Sequence, residues 1–560
     1  VDQTASKKEA EQCMGIAIVD GIEVKFDDAE KLNGIELARR AGVEIPHYCW
    51  HPGLSVVGSC RMCLVEFGTR DPHTGQISIW PKLTPACNTP IRDGMVLVTQ
   101  SEKVQQARAM VQEDLLLRHP IDCPICDKAG ECLLQDFHFR YGQRERRAPW
   151  RAFSSRRRDV GPNITLFVDR CIMCSRCVRF CREISGTAEL MIVHRGTHEE
   201  IDVLPGFPLN NKLSGNVVDL CPVGALGDKD FLYKQRVWFL KRHPSVCTQC
   251  AVGCSIWVEE NQDRIWRIKP RENPHVNRWW ICNDGRYSYP YVHHPERIVG
   301  ARRREESGWV PVNWTHLSSE INSFVRSAGS LVGVLSPFLT VEEAYLLAKW
   351  IRSIDPRAPL VLGPVPVAGE DERFPGGFVI AAERCPNRRG VEEVVAHFCG
   401  RVTPFGELPE VARSHRAKVV WVSGGYPRPW DEAELLAPLG ELACDWIVQD
   451  MFFAHVYERA KYVIGGAAFA ERAGSYVNWN DRLQSVPRAI RPPRGVRPEL
   501  VLFWELLGRE GAPDPNPVRV ELAQATAYFA AAIAPVPETG IDLKVNLLAP
   551  AGNSLDRSVV

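Results

Sequence analysis

The sequence predicts a multidomain chain of mixed α+β and α/β architecture, with small cysteine-rich modules in front and one layered α/β domain behind. Three observations carry this. A length of 560 residues exceeds the ~100–200 of a single domain and points to roughly three to five. Of the 20 cysteines, 17 fall within residues 1–282, and only Cys385, Cys399 and Cys444 lie beyond. From about residue 287 apolar strand-like runs alternate with amphipathic stretches, the pattern of an α/β layered domain.

Composition narrows the class. Lys+Arg and Asp+Glu both number 68, so no whole-chain charge excess calls for nucleic acid or an anionic membrane as partner. No uncharged apolar stretch reaches the ~18 residues of a bilayer span, and the start, VDQTASKKEAEQCMG, has no apolar core of signal-peptide type. The expectation is a soluble intracellular protein, in which dense cysteines point to metal rather than to disulfides.

Residues 14–19 and 22–26 flank Asp20-Gly21, a two-residue hairpin signal. Residues 31–41 carry Leu32, Ile35, Leu37 and Ala38 at helical spacing, and Gly42 supplies a stop. Cys49, Cys60, Cys63 and Cys87 follow in loop sequence. A helix over 102–117 runs into HPIDCPICDKAGEC, residues 119–132. Residues 140–158 hold eight arginines and read as an exposed basic connector, or more sharply as a docking surface for an acidic partner or charge compensation near anionic centres. A third unit from Thr165 carries CIMCSRCVRFC and closes near LCPVGAL. A fourth, from about Pro244, holds Cys247, Cys250, Cys254 and Cys282. Behind it, strands are expected at 331–335, 360–362, 419–422, 446–448 and 462–464, helices at 341–354 and 432–442, and a tail over 535–560.

The ligand spacing carries the chemistry. Iron–sulfur clusters need about four soft ligands, and a short loop supplies three of them within a few residues. Group one is Cys49-x10-Cys60-x2-Cys63-x23-Cys87, similar to the plant-type [2Fe–2S] arrangement but with a longer first gap. Group two is His119-x3-Cys123-x2-Cys126-x5-Cys132; three cysteines need a fourth ligand, and His119 lies one short turn upstream. Group three is Cys171-x2-Cys174-x2-Cys177 with the distal Cys221-Pro222, a [4Fe–4S] signature. Cys181 also fits a fourth position, but Arg182 follows it where proline belongs, so it reads as a buried bystander. Group four is Cys247-x2-Cys250-x3-Cys254-x27-Cys282. Structural zinc is the bland alternative; three thiolates within the seven residues 171–177 favour a cubane over a single ion. Cys13, Cys181, Cys385, Cys399 and Cys444 remain unassigned. Neither G-x-G-x-x-G nor G-x-x-x-x-G-K-[ST] occurs, so nicotinamide binding by this chain is not expected, and neither a nucleophile elbow nor H-E-x-x-H is present.

HYCWHPGLSVVGSCRMCLVE, HPIDCPICDKAGECLLQD, CIMCSRCVRFCREISG and LCPVGAL together resemble the large iron–sulfur subunits of proton-pumping NADH–quinone oxidoreductases, respiratory complex I, over residues 1–300. CNDGRYSYPYVHHPERI and AERAGSYVNWNDRLQ are similar to stretches of molybdopterin oxidoreductases, whose fold these subunits carry in degenerate form. The resemblance implies five domains: a [2Fe–2S] ferredoxin-like β-grasp over 1–98, a His-Cys [4Fe–4S] module over 99–139, a [4Fe–4S] ferredoxin-like domain over 140–240, a [4Fe–4S] module of molybdopterin-oxidoreductase type over 241–298, and a shortened α/β domain over 299–560.

It also implies one [2Fe–2S] and three [4Fe–4S] clusters, no molybdenum cofactor, and no catalytic residue in this chain. By the same resemblance, electrons arrive from an FMN-bearing, NADH-oxidising flavoprotein beside a small [2Fe–2S] subunit. They pass through groups one, three and two and leave toward ferredoxin-like and quinone-site subunits. Group four sits off that route and implies a bacterial source. Nucleic acid is not a partner, membrane contact runs through other subunits, and the place is the cytoplasmic side of the inner membrane, in the peripheral arm. A molybdenum or tungsten formate dehydrogenase would need a basic residue shortly after Cys282, where Asn283-Asp284-Gly285 stands. The electron-transfer arm of an NAD-linked hydrogenase would lack the long back half.

Overall fold

The computed structural model describes residues 14–145, 147–196, 198–428 and 433–544. Cys13, the first residue of the expected 432–442 helix and most of the expected tail lie outside them. The chain divides into two units, Val1–Phe239 and Leu240–Val560.

In the first unit, Asp20 and Gly21 both take left-handed φ, 48° and 89°. That geometry matches the twist of the flanking strands and joins Met14–Val19 to Ile22–Asp27 in antiparallel register. The sheet continues through Met95–Val98, parallel to Met14–Val19, then Leu64–Arg70 and Ile77–Ile79, with Thr84–Pro85 also pairing to Leu64–Arg70. One helix, Gly34–Arg40, covers it. The helix starts later than the periodicity suggests because Asn33 and Glu36 form a reciprocal capping box. Ile35, Leu37 and Ala38 pack on Val19, Phe26, Phe67 and Leu97 in one apolar core. Helices Glu102–Leu116 and Leu133–Tyr141 follow. A three-stranded sheet of Leu226–Asp228, Ile164–Phe167 and Arg157–Asp159 then carries helix Asn216–Leu220, and helix Arg176–Glu183 packs on that helix and on strand Leu190–Val193.

The arginine-rich stretch is largely exposed, as expected, and part of its charge is paired. Arg147 donates from Nε to both Glu113 oxygens at 2.9 Å, Arg156 pairs with Asp169 and Glu200, and Arg158 with Glu200 and Asp202. Carboxylates distant in sequence neutralise these arginines, which sequence distance hides.

The second unit opens with a three-stranded sheet, Lys241–Val246, Ser255–Asn261 and Arg264–Pro270. Its large sheet has seven strands in the order Gly308–Val312, Ala301–Glu305, Tyr462–Gly465, Asp445–Asp450, Val419–Ser423, Leu331–Leu335, Leu360–Leu362. The last five are mutually parallel. In chain order they run 2-1-3-4-5, a doubly wound topology. Burial on both faces explains the continuous apolar runs. Leu331, Leu335, Val419 and Trp421 face the core with helices Trp314–Ala328, Val341–Ile354, Arg388–Cys399 and Glu499–Leu506. Val332, Val334, Val420 and Val422 face the opposite core with Leu408, Leu439 and Leu442. The expected tail is part of the fold at its start, since Ile541–Asp542 pairs with Arg482–Val486.

Candidate metal centres

Group one lies at the mouth of the β-grasp sheet. Cys49 and Cys60 occupy the loop after Gly34–Arg40, Cys63 immediately precedes Leu64–Arg70, and Cys87 sits in the turn Ala86–Asn88. The bond from Ala86 N to Cys63 O, 3.0 Å, ties the last two together. The sulfurs form two hydrogen-bonded pairs. Cys60 holds Cys49 down at about 5 while Cys60 itself is pushed up, and Cys63 is pushed up by Cys87, which is held down.

Group three is curled by its backbone. Met173 and Ser175 take left-handed φ of 52° and 57°, a concave arrangement that turns N–H groups toward an anion. Met173 N–H points at Cys171 Sγ, 3.4 Å. Cys221 follows helix Asn216–Leu220. Burial, then the charges of Cys174 and Cys221, push Cys171 up; burial and Cys221 take Cys174 to about 11; burial with Cys174, Cys171 and Cys221 raises Cys177. All four thiols bear on one another. Cys181 is fully buried, and burial with the Glu189 carboxylate takes it to about 12.

In group two, Asp122 O accepts from Ile125 N and Cys126 N, both 2.8 Å, and Gly130 turns the loop at φ 87° before Cys132 opens helix Leu133–Tyr141. The charges of Cys123 and Cys126, and of Cys126 and Cys132, oppose each other, and burial takes Cys132 to about 11. His119 joins them through Arg170, which faces both His119 and Cys126 and pairs with Asp122 at 2.8 Å. Burial and Arg170 press His119 down to about 4, so its imidazole is neutral and has a lone pair to give.

Group four closes between strands Lys241–Val246 and Ser255–Asn261 through Cys247 N to Cys254 O, 2.8 Å. Cys282 caps helix Asn283–Tyr287, its Sγ accepting from Gly285 N at 3.3 Å. Burial raises all four thiols, Cys282 to about 12; the charges of neighbouring thiols add to the rise at Cys247, Cys254 and Cys282, and that of Asp284 to the rise at Cys250. The loop is clasped by a segment far along the chain: Asn478 Nδ2 donates to Val252 O (3.0 Å), Gln484 Nε2 to Gly253 O (2.8 Å) and Trp479 N to Ala251 O (3.0 Å).

The donor chemistry fits clusters. Buried thiols that raise one another's pKa are a set a cation would deprotonate and stabilise. A Cβ on Gly285 would stand 2.9 Å from Cys247 Sγ, so glycine keeps the space beside that sulfur open. Among the described residues no three His, Cys, Asp or Glu side chains close around a single ion; in a polynuclear cluster the ligands bind different iron atoms and need no such closeness. Sequence reasoning missed Arg108, Arg170, Arg176 and Arg179, all buried, and Gly224. The signal available was the spacing of Arg176 and Arg179, three apart on one helix inside a cysteine motif.

Aromatic side chains stand at the crevice of the doubly wound sheet, where such folds bind ligands. Phe338 and Tyr426 meet there with ring centroids 4.7 Å apart, and Tyr426 Oη donates to Pro364 O at 2.7 Å. Arg472, buried with Glu343 and Glu499, lies against Gly425. Cys385 is fully buried in one core, and Cys399 and Cys444 pack at the edges of the two.

Comparison with known proteins follows the same division. Residues 18–102 match the 2Fe-2S iron-sulfur cluster binding domain, 108–147 the NADH-ubiquinone oxidoreductase-G iron-sulfur binding region, 161–227 the NADH-quinone oxidoreductase subunit 3 ferredoxin-like domain, and 240–294 the molybdopterin oxidoreductase Fe4S4 domain. The G subunit of NADH-quinone oxidoreductase from Rickettsia conorii is 34% identical over 338 residues, 60% of this chain and 48% of that one. The chain is a homologue of the large iron–sulfur subunit of NADH–quinone oxidoreductase. The homology extends to the 75 kDa subunit of Reclinomonas americana, 34% identical over 60% of this chain and 47% of that one. It also reaches the mitochondrial 78 kDa subunit of Neurospora crassa, 37% identical over 57% and 43%. The chain spans about half the length of the curated relatives it matches. A chain from the crystal structure of an NAD+-reducing [NiFe]-hydrogenase is 29% identical and covers 40% of this chain and 91% of its own, at a TM-score of 0.34, which is too low to argue from. Among the described residues no helix is long and apolar enough to cross a membrane.

Proposed function

We propose that this chain is the iron–sulfur electron-transfer subunit of an NADH–quinone oxidoreductase. One [2Fe–2S] cluster is held by Cys49, Cys60, Cys63 and Cys87. Three [4Fe–4S] clusters are held by His119 with Cys123, Cys126 and Cys132; by Cys171, Cys174, Cys177 and Cys221; and by Cys247, Cys250, Cys254 and Cys282. The five domain boundaries given above belong to the same reading. Bound clusters would supply one-electron redox chemistry. The chain's own residues supply soft ligands, bury most of the thiols of groups one, three and four, and keep His119 neutral. The pairing of Cys49 with Cys60 and of Cys63 with Cys87 supports two thiolates per iron in a two-iron cluster. The observation that carries the reading is the coincidence of four facing thiol sets with four iron–sulfur family matches.

The partners are an FMN-bearing, NADH-oxidising flavoprotein, a small [2Fe–2S] subunit, and ferredoxin-like and quinone-site subunits, with the assembly on the cytoplasmic side of a bacterial inner membrane. The Phe338–Tyr426 contact at the crevice supports a scaffold role for the back half, without a molybdenum cofactor. Anaerobic purification with metal quantification tests the whole assignment. About 14 iron atoms per chain are expected from one two-iron and three four-iron clusters. Fewer than about 8, with zinc making up the difference, or stoichiometric molybdenum, tungsten or pterin, overturns it.

A further inference from the structure

Arg176 and Arg179, both buried, lie between the loops of groups one and three. Arg176 donates to Trp50 O at 2.6 Å, next to Cys49, and to Leu220 O at 3.3 Å, next to Cys221. Arg179 donates to Cys49 O and Ser55 O on one side and to Cys174 O at 3.3 Å on the other. Each guanidinium therefore binds backbone at a ligand, or one residue from it, in both groups.

Neither arginine makes an ion pair with a carboxylate among the described residues. A buried cation without a counter-charge is costly. The ionisable groups these two face are thiols: Cys49, Cys60 and Cys174 for Arg176, and Cys174 for Arg179. Thiolate-ligated clusters at those positions are the missing counter-charge.

The geometry points to Arg176 and Arg179 as positioning residues that act on the group-one and group-three centres together, fixing the two loops as one body and stabilising an added electron on either. This rests on the ligand reading above. Electron transfer between the centres oxidises one by one electron and reduces the other by one, and no atom moves. A positive charge shared by both raises both potentials and leaves them near level, whereas a charge beside one alone would open a gap between them. The planar fork of arginine suits this task because it reaches carbonyls on two sides at once.

The test is a potentiometric EPR titration of the anaerobically purified full chain, with Arg176→Gln, Arg179→Gln and the corresponding Lys variants. Absence of the two signals from the unsubstituted protein would count against the ligand reading, not against the arginines. Expected in each Gln variant is a fall of about tenfold in the reduced-to-oxidised ratio at fixed potential for both centres, 59 mV for one electron. The group-four signal should stay unchanged. The Lys variants keep the charge and should restore most of the shift. Joint loss of both centres with group four intact also supports the bridge. A variant that affects one centre alone, or neither, overturns it. Where a Gln variant loses group four as well, its Lys counterpart is read by the same rule.

Discussion

Arg297 and Glu471 form a doubly bonded ion pair inside the second unit, Nη1 to Oε1 at 2.6 Å and Nη2 to Oε2 at 2.7 Å, with both side chains at most 2% exposed. It joins the end of the group-four module to AERAGSYVNWN. Breaking it from one side leaves a buried charge without its partner. Arg297→Met alone should cost about 3–5 kcal/mol, read as a lower denaturation midpoint. Arg297→Met with Glu471→Leu should recover part of the loss.

A Cβ on Gly224 would stand 2.1 Å from Cys126 Sγ. Gly224 belongs to the group-three segment and Cys126 to group two, so the two sites touch. Gly224→Ala should displace Cys126 and alter or abolish the group-two EPR signal while the group-four signal stays. An unaltered group-two spectrum would refute the contact.

On the proposed ligand set, His119 lowers the negative charge of its site. Imidazole is neutral and thiolate anionic, so a His-ligated cluster carries one less negative charge and is more easily reduced. His119→Cys should keep a cluster of lower potential, measurable by redox titration. His119→Ala with every signal and titration unchanged would remove His119 from the ligand set.

Cys181 and Cys221 compete for one position in the motif. The charge of Cys221 bears on Cys171, Cys174 and Cys177, whereas that of Cys181 bears on Cys177 alone, and burial and Glu189 dominate at Cys181 itself. Cys181→Ala should preserve the group-three signal, and Cys221→Ala should destroy or remodel it. Equal loss in both would reverse the choice.

Glu342 is pushed up to about 7 by burial against an ordinary 4.5, with Ser475 N and Oγ bonding its carboxylate. Below about pH 4.5 it is protonated folded or unfolded and costs nothing. As the pH rises toward 7 the unfolded chain releases the proton freely and the folded one does not, so stability falls through that window by on the order of 3 kcal/mol. Asp450 at about 6 and Glu499 at about 7, both raised by burial, act in the same direction. Glu342→Gln should flatten the dependence of the melting temperature between pH 5 and 7; an unchanged slope would exclude Glu342 as its source.

Much of the clustering of thiols was legible because it is local. Cys171, Cys174 and Cys177 announce themselves by spacing, and the apolar runs of the large sheet by composition. The hidden parts depend on long-range contact. Nothing in the motif around Arg176 and Arg179 says that Cys49 O and Trp50 O wait opposite them. Strand Ala301–Glu305, sequence ARRRE, is polar because it lies toward the sheet's antiparallel edge, and periodicity alone cannot find it. The arginines of 140–158 looked free because their carboxylates, such as Glu113 and Glu200, stand outside the stretch.

The clasp on the group-four loop sets an order of events during synthesis. Val252 and Gly253 are held by Asn478 and Gln484, 226 and 231 residues further on. Loop-closing contacts of such separation form late, and domains made first can fold first. The β-grasp module completes its sheet with strand Met95–Val98, so its site can take shape while most of the chain is still unmade. The group-four loop stays unclasped until residue 484 has left the ribosome. A ribosome stalled between those points should carry a protected first site and an unprotected fourth.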